Sequence, residues 1–183
     1  MKSFNLFKSL PNLITLGRLV LVPVAIDMIA SQAWTGAFAV FMTASLSDAI
    51  DGFLARRFAL RSELGALLDP LADKALLVSI YIALAVVGIV PAALTILVVS
   101  RDVMIVGAVL ISWVLGKPIE IRPLLISKLN TTVQIAFAGL VLGSQAFGLT
   151  LHMWLPAGIA LVAGLTLASA AVYLAQWLRH MSG

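Results

Sequence analysis

Charged side chains are too scarce in this sequence to cover a water-exposed surface, and that scarcity constrains the fold more than any motif does. Of 183 residues, 11% are charged and 62% hydrophobic, against roughly 25% and 45–50% in ordinary globular chains. The mean hydropathy is +1.11. A bilayer is the solvent such a composition requires. At ~20 apolar residues per spanning helix, the length leaves room for about six helices on short loops. Barrel strands would alternate apolar and polar residues, and these segments do not. The absence of cysteine excludes disulfides, thiolate metal sites and cysteine nucleophiles.

The expected fold is an all-α integral membrane protein with six transmembrane helices, over 12–29, 34–54, 63–90, 91–115, 123–147 and 154–178. Residues 1–10 carry Lys2 and Lys8 among Phe4, Leu6 and Phe7. They read as a short N-terminal interfacial helix ahead of a membrane domain over 11–183. Lys2, Lys8, Arg56, Arg57, Arg61, Lys117, Arg122, Lys128 and Arg179 would flank one face, while the turns near 27–35, 87–91 and 144–154 hold no Lys or Arg. The positive-inside rule makes the basic face cytoplasmic, and both termini with it. The net charge of +4 is then a topology signal and a contact for anionic lipid. Nucleic acid is not an expected partner.

The informative charges are those that stay inside. Asp48, Asp51, Asp69 and Asp73 fall within or at the edge of spans 2 and 3, where an Asp at a helix centre costs about 2.5–3.5 kcal/mol. Asp48 and Asp51 are three apart, and Asp69 and Asp73 four apart, so each pair shares a helix face. Asp48 precedes Arg57 by nine residues and Asp73 follows Ser62 by eleven. At ~1.5 Å per residue, both sit roughly 13–17 Å below the basic surface. Antiparallel neighbours would gather all four carboxylates around one cavity. Oxygen ligands without Cys or nearby His suit a hard divalent ion, Mg2+ or Mn2+. Two such ions ~3.5–4 Å apart stabilise attack on phosphorus. Gly52, Ala55 and Gly65 would let a bulky ligand approach the backbone, and Arg56 can pair bidentately with phosphate. Structural ion pairing with Arg56, Arg57, Arg61 and Lys74 explains one such Asp readily, but four on two facing helices poorly.

These residues resemble a known signature. Asp48-Ala-Ile-Asp51-Gly52-Phe-Leu-Ala55-Arg56, then Gly65-Ala-Leu-Leu-Asp69-Pro-Leu-Ala-Asp73 after eight residues, is similar to the CDP-alcohol phosphotransferase pattern at all eight of its fixed positions. The resemblance implies a six-helix enzyme, commonly dimeric, that moves a phosphatidyl group from a CDP-linked lipid to an alcohol and releases CMP. It implies two divalent cations, Mg2+ or Mn2+, on Asp48, Asp51, Asp69 and Asp73, with Asp73 also the general base. Gly52, Arg56, Ser62 and Gly65 would line the cytidine and pyrophosphate pocket. Pro11-Asn12-Leu-Ile-Thr15-Leu-Gly-Arg18 resembles the start of the first helix in the glycerophospholipid branch, with Asn12 and Thr15 reaching the diphosphate. An N-cap at Asn12 and a snorkelling Arg18 are the alternative.

The acceptor turns on the later spans. Arg101 lies inside span 4, where it either binds an acceptor phosphate, the reading adopted, or pairs with Asp102 or an active-site carboxylate. Arg122 and Lys128 would join it, or serve only as positive-inside charges. Phosphatidylglycerophosphate synthases, which take glycerol 3-phosphate, resemble this chain but carry a Gly-Lys-x-Lys-Thr-like segment at span 5. Here Ser127-Lys128-Leu129-Asn130-Thr131 has Asn in place of the second Lys. With Ser100-Arg101-Asp102-Val103-Met104 it is similar to CMP-forming cardiolipin synthases, whose acceptor is phosphatidylglycerol. The resemblance therefore implies CDP-diacylglycerol and phosphatidylglycerol as substrates, with a site open to the cytoplasmic leaflet of a bacterial inner membrane or the matrix side of a mitochondrial one. A cation transporter using the four Asp residues is the non-enzyme alternative, without a visible internal repeat to support it. Trp34, Trp113, Trp154 and Trp177 read as interfacial anchors. Gly139 and Gly143 read as a packing face or a homodimer seam.

Overall fold

The computed structural model describes residues 6–58, 63–116, 125–151 and 153–182, with side chains for 17–47 and, within those ranges, from 74 onward. Among the described residues it is helical without a strand: α1 (Leu6–Ala30), α2 (Trp34–Phe58), α3 (Glu63–Val86), α4 (Ala92–Val114), α5 (Leu125–Ala146) and α6 (Trp154–Ser182). Each expected span falls largely on one helix, although the third was set to run to residue 90 and α3 ends at Val86. Residues 6–10 do not form a separate interfacial helix; they begin α1, which runs unbroken to Ala30. Asn12, Thr15 and Arg18 lower the local hydropathy but leave backbone hydrogen bonding intact, so they mark no boundary. Among the described residues α4, α5 and α6 are long and apolar enough to cross a membrane, and Lys74–Val86 is a shorter apolar helix.

The turns on the face without Lys or Arg share one chemistry. Gly88 (φ +79°) and Gly148 (φ +64°) end α3 and α5 in the left-handed region. Ile89 N–H then donates to Leu84 C=O at 3.0 Å, and Leu149 N–H to Ser144 C=O at 2.8 Å. These bonds satisfy carbonyls the helix leaves open. Gln32 (φ +58°) holds the same position after α1, with Ala33 N–H donating to Met28 C=O at 2.8 Å.

The bundle exposes apolar side chains on its outer surface, and the buried polar ones are set among a largely apolar core. On α4, Ile96, Val103, Val106, Leu110 and Val114 are exposed, while Thr95, Arg101 and Ser112 are buried. The same division holds on α5, with Leu125 and Leu140 outward and Asn130 and Gln134 inward. On α6 Leu161 and Leu167 face out, and Thr166 and Ser169 face in. A surrounding hydrocarbon phase favours that arrangement, because polar side chains then find partners only between helices.

The helices pack in a definite order. Within the core, α1 contacts α2 and α3, α2 contacts α5, α6 contacts α4 and α5, and α3 touches both α4 and α5. Ile80, Tyr81 and Leu84 of α3, Val98 of α4, Leu142 of α5 and Val162 of α6 are fully buried together. A Cβ on Gly139 would stand 3.2 Å from Phe41, and one on Gly143 3.2 Å from Phe38. The small face of α5 is thus occupied by α2 of the same chain. Tyr81 Oη donates to Gln134 C=O at 3.1 Å, and Thr95 Oγ1 to Tyr81 C=O at 3.0 Å, tying α3 to α5 and α4.

Among the described glycines the tightest approach is between α6 and α5, where a Cβ on Gly158 would fall 2.6 Å from the buried Phe137 ring. Gly158→Val should destabilise the detergent-solubilised protein by about 1–3 kcal/mol through overpacking. Gly164→Ala, where the Cβ meets nothing within 4 Å, is the control and should leave the thermal midpoint near that of the unaltered chain.

Candidate functional site

Two groups of residues bear on the candidate site. The first is the signature. Asp48, Asp51, Gly52 and Arg56 lie on α2, and Gly65, Asp69 and Asp73 on α3. Asn12 and Thr15 lie on α1, the helix that packs against both α2 and α3. The side chains of these residues, and Ser62 and Arg122 altogether, lie outside the described residues. The nearest described geometry is a cavity of about 260 Å3 between α1 and α2, lined by Gly17, Arg18, Leu21, Ala44 and Ser47. Ser47 directly precedes Asp48. Arg18 is buried, at 3% exposure, so it does not snorkel to the surface but forms a wall of this cavity.

The second group is a polar network among α3, α4, α5 and α6. Arg101 is 5% exposed, and its guanidinium makes four hydrogen bonds. Nη1 donates to Asp102 Oδ1 at 2.6 Å, and Nε and Nη2 donate to Ser169 Oγ at 3.2 and 2.7 Å. Nη2 also donates to Ser127 Oγ. Tyr173 lies under the guanidinium, with Cζ 5.5 Å from the ring centroid, in cation–π range. Lys74 Nζ donates to Asp102 Oδ2 at 2.6 Å. Arg101 therefore pairs with Asp102, the arrangement the sequence offered as the alternative to an open phosphate site. The physical reason is local: an adjacent carboxylate compensates a charge that the apolar helices cannot solvate.

One turn further along α5 the network continues without charge. Gln134 Nε2 donates to Thr166 Oγ1 at 3.2 Å, and Thr166 Oγ1 donates to Asn130 Oδ1 at 3.0 Å. Thr166 fixes the Asn130 amide through its oxygen. Asn130 Nδ2 and Gln134 Oε1 are buried without hydrogen-bond partners, a donor and an acceptor held inside the bundle. Lys128, by contrast, is exposed, while its neighbour Ser127 turns in to Arg101.

The structure thus brings Arg101 and Ser127 together, adds Lys74 through Asp102, and leaves Lys128 on the outside of the same helix end. Sequence reasoning did not single out Ser169 or Thr166. The available signal was a pair of hydroxyls three residues apart on the otherwise apolar stretch of α6 from Trp154 to Val172. Among the described residues no three His, Cys, Asp or Glu side chains come together as a metal site. The opposite end of the bundle holds a cavity of about 570 Å3 lined by Ile89, Ser144, Gln145, Thr150 and Leu155 among others, with no charged side chain. Among the described residues it offers hydroxyls and an amide but no cation for a phosphate.

Comparison with known proteins bears on this site directly. The model of the CDP-alcohol phosphatidyltransferase family matches residues 8–177. CMP-forming cardiolipin synthases of Rattus norvegicus and Homo sapiens are 36% and 35% identical over 155 residues, covering 76% of this chain and 51% and 52% of their own lengths. The chloroplastic CDP-diacylglycerol--glycerol-3-phosphate 3-phosphatidyltransferase 1 of Oryza sativa subsp. japonica is 33% identical over 191 residues, covering 91% of this chain and 56% of its own. The chain spans about half the length of the curated relatives it matches. With the eight-residue signature on α2 and α3 and a family match over nearly its whole length, the chain belongs to the CDP-alcohol phosphatidyltransferase family.

Proposed function

We propose that this chain transfers the phosphatidyl group of CDP-diacylglycerol to a hydroxyl of phosphatidylglycerol, giving cardiolipin and CMP. The signature divided between α2 and α3 carries the reading. Four carboxylates, all hard oxygen donors, fit a pair of divalent cations, and Asp48, Asp51, Asp69 and Asp73 would hold them. Bound there, Mg2+ or Mn2+ would neutralise the pyrophosphate and stabilise CMP as it departs. The chain's own residues do the rest. Gly52 and Gly65 leave space for the nucleotide beside the helix backbones. Arg56, Ser62, Asn12 and Thr15 hold the diphosphate. Asp73 accepts the proton of the acceptor hydroxyl, whose oxygen becomes bonded to the phosphatidyl phosphorus as the bond to the CMP oxygen breaks.

On the acceptor side, Arg101, Arg122 and Lys128 serve the phosphate, with Arg101 contributing its charge from within the Asp102, Ser127 and Ser169 contacts. Asn130 supports phosphatidylglycerol. Its buried amide is uncharged, and a phosphodiester carries one negative charge where a phosphate monoester carries about two near neutral pH. The relatives named as cardiolipin synthases point the same way. A phosphatidylglycerophosphate synthase is the second reading, favoured by the Oryza relative named for glycerol 3-phosphate. A cation transporter needs no nucleotide-lipid signature, and the family match stands against it. The reading includes six transmembrane spans, both termini cytoplasmic, a homodimer, and a site opening to the cytoplasmic leaflet of a bacterial inner membrane or the matrix side of a mitochondrial one.

Purified protein given CDP-diacylglycerol, Mn2+ and one acceptor at a time should release CMP with phosphatidylglycerol and not with glycerol 3-phosphate; the reverse result would transfer the assignment to the second reading. Asp73→Asn should lower kcat by at least ~100-fold, the scale of a lost general base, with an unchanged thermal midpoint. Retention of more than about a tenth of the activity would remove Asp73 from that role. Chelation by EDTA should abolish CMP release, and added Mg2+ or Mn2+ should restore it.

A further inference from the structure

The network around Asp102 carries more positive charge than it uses. Both carboxylate oxygens are engaged, Oδ1 by Arg101 and Oδ2 by Lys74, each at 2.6 Å. Among the described side chains of this network, two cations and one anion leave a net charge of +1. The two cations are not equivalent. A guanidinium has five N–H donors, and Arg101 makes four hydrogen bonds with its side chain 4% exposed. An ammonium has three donors. Lys74 gives one to Asp102, and its side chain is 38% exposed. The excess charge and the open donors are therefore presented at Lys74.

We propose that Lys74 contacts the acceptor phosphate directly, and that Asp102 and Arg101 are positioning residues that hold it there. The proposal rests on the functional reading above and deepens it. If Arg101 took the phosphate itself, it would have to release Asp102, Ser127 or Ser169, and losing its pair would leave a part-buried carboxylate less compensated. Lys74 takes an oxyanion without breaking any contact. Its place in the chain supports the same role. It directly follows Asp73, so it stands at nearly the same level of α3, ~1.5 Å further along the axis, as the residue assigned to receive the hydroxyl proton. The Asp102 contact removes side-chain freedom from Lys74 before the acceptor arrives, which is preorganisation. The exposed ammonium matches the single charge of a phosphodiester, while the buried Arg101 sets the orientation of Asp102.

The experiment uses the full chain in detergent with CDP-diacylglycerol and Mn2+, comparing Lys74→Gln, Lys74→Arg and Asp102→Asn. Loss of one charge-assisted contact should raise the acceptor KM of Lys74→Gln by about tenfold or more. The CDP-diacylglycerol KM and the Mn2+ concentration for half-activation should stay within about twofold, a change too small for a lost ionic contact. Lys74→Arg should recover most of the acceptor affinity. Asp102→Asn should raise the acceptor KM by a smaller factor, and it serves as the second variant if Lys74→Gln does not fold.

A separate readout needs no turnover. In EDTA, dihexanoyl phosphatidylglycerol or glycerol 3-phosphate, whichever the chain uses, should raise the thermal midpoint of the unaltered protein and not of Lys74→Gln. Dihexanoyl phosphatidylcholine should do neither. An unchanged acceptor KM in both Lys74→Gln and Asp102→Asn overturns the proposal. So does a rise in donor KM or metal requirement in step with the acceptor KM, which would make Lys74 a partner of the diphosphate or of the metal-holding carboxylates. If the unaltered chain releases no CMP with either acceptor, the functional reading itself fails. If it does and Lys74 variants behave like it, only the role of Lys74 fails.

Discussion

A guanidinium inside an apolar bundle has to be neutralised and hydrogen-bonded on the spot, and much of this structure follows from how Arg101 achieves it. Asp102, one residue on, supplies the opposite charge. Ser127 from α5 and Ser169 from α6 accept the remaining N–H groups, and the Tyr173 ring covers one face. Lys74 from α3 completes Asp102. A single buried cation thereby ties four helices to one another. Removing one partner of such a group costs about 3–5 kcal/mol, because the other charge is left uncompensated. The same contacts that hold the helices together therefore also define the charge that a ligand meets at this end of the bundle.

The rest of the interior obeys the same condition with neutral groups. Gln134, Thr166 and Asn130 pass hydrogen bonds between α5 and α6, and Tyr81 and Thr95 do so between α3, α4 and α5. Between these polar levels the packing is steric. Phe38 and Phe41 of α2 lie against Gly143 and Gly139 of α5, and Phe137 lies against Gly158 of α6. Close helix approach at glycine and side-chain hydrogen bonds across helices are what remain to hold a bundle when burial of apolar surface no longer distinguishes inside from outside. The outward Ile, Val and Leu of α4 and α6 face a phase as apolar as they are.

Much of this was legible before any coordinates. Hydropathy and charge scarcity located each helix among the described residues, missing mainly at ends where caps decide the last turn, as with Gly88 and Gly148. The interfacial segment expected over residues 1–10 rested on Lys2 and Lys8 among aromatic and apolar neighbours; its described part, from Leu6 on, is continuous with α1. The signature was legible because its spacing is local to α2 and α3. Arg101 was legible as an anomaly but not as a member of a network. Its partners Ser127 and Ser169 lie 26 and 68 residues away, and sequence separation gives no hint of which helix face will stand beside it.

What the sequence determined by itself was the solvent and the chemistry available: too few charges for water, a carboxylate quartet at helical spacing, and enough helices to bury it. Those conclusions depend on residue type and short-range spacing, which the sequence records directly. Only the tertiary structure decided which cation is enclosed and which stays partly exposed. Arg101 is enclosed, with α5 and α6 each bringing a hydroxyl to it, and Lys74, which meets the other oxygen of Asp102, stays partly exposed. Packing assigns the partners, and the assignment of partners determines where unneutralised charge remains.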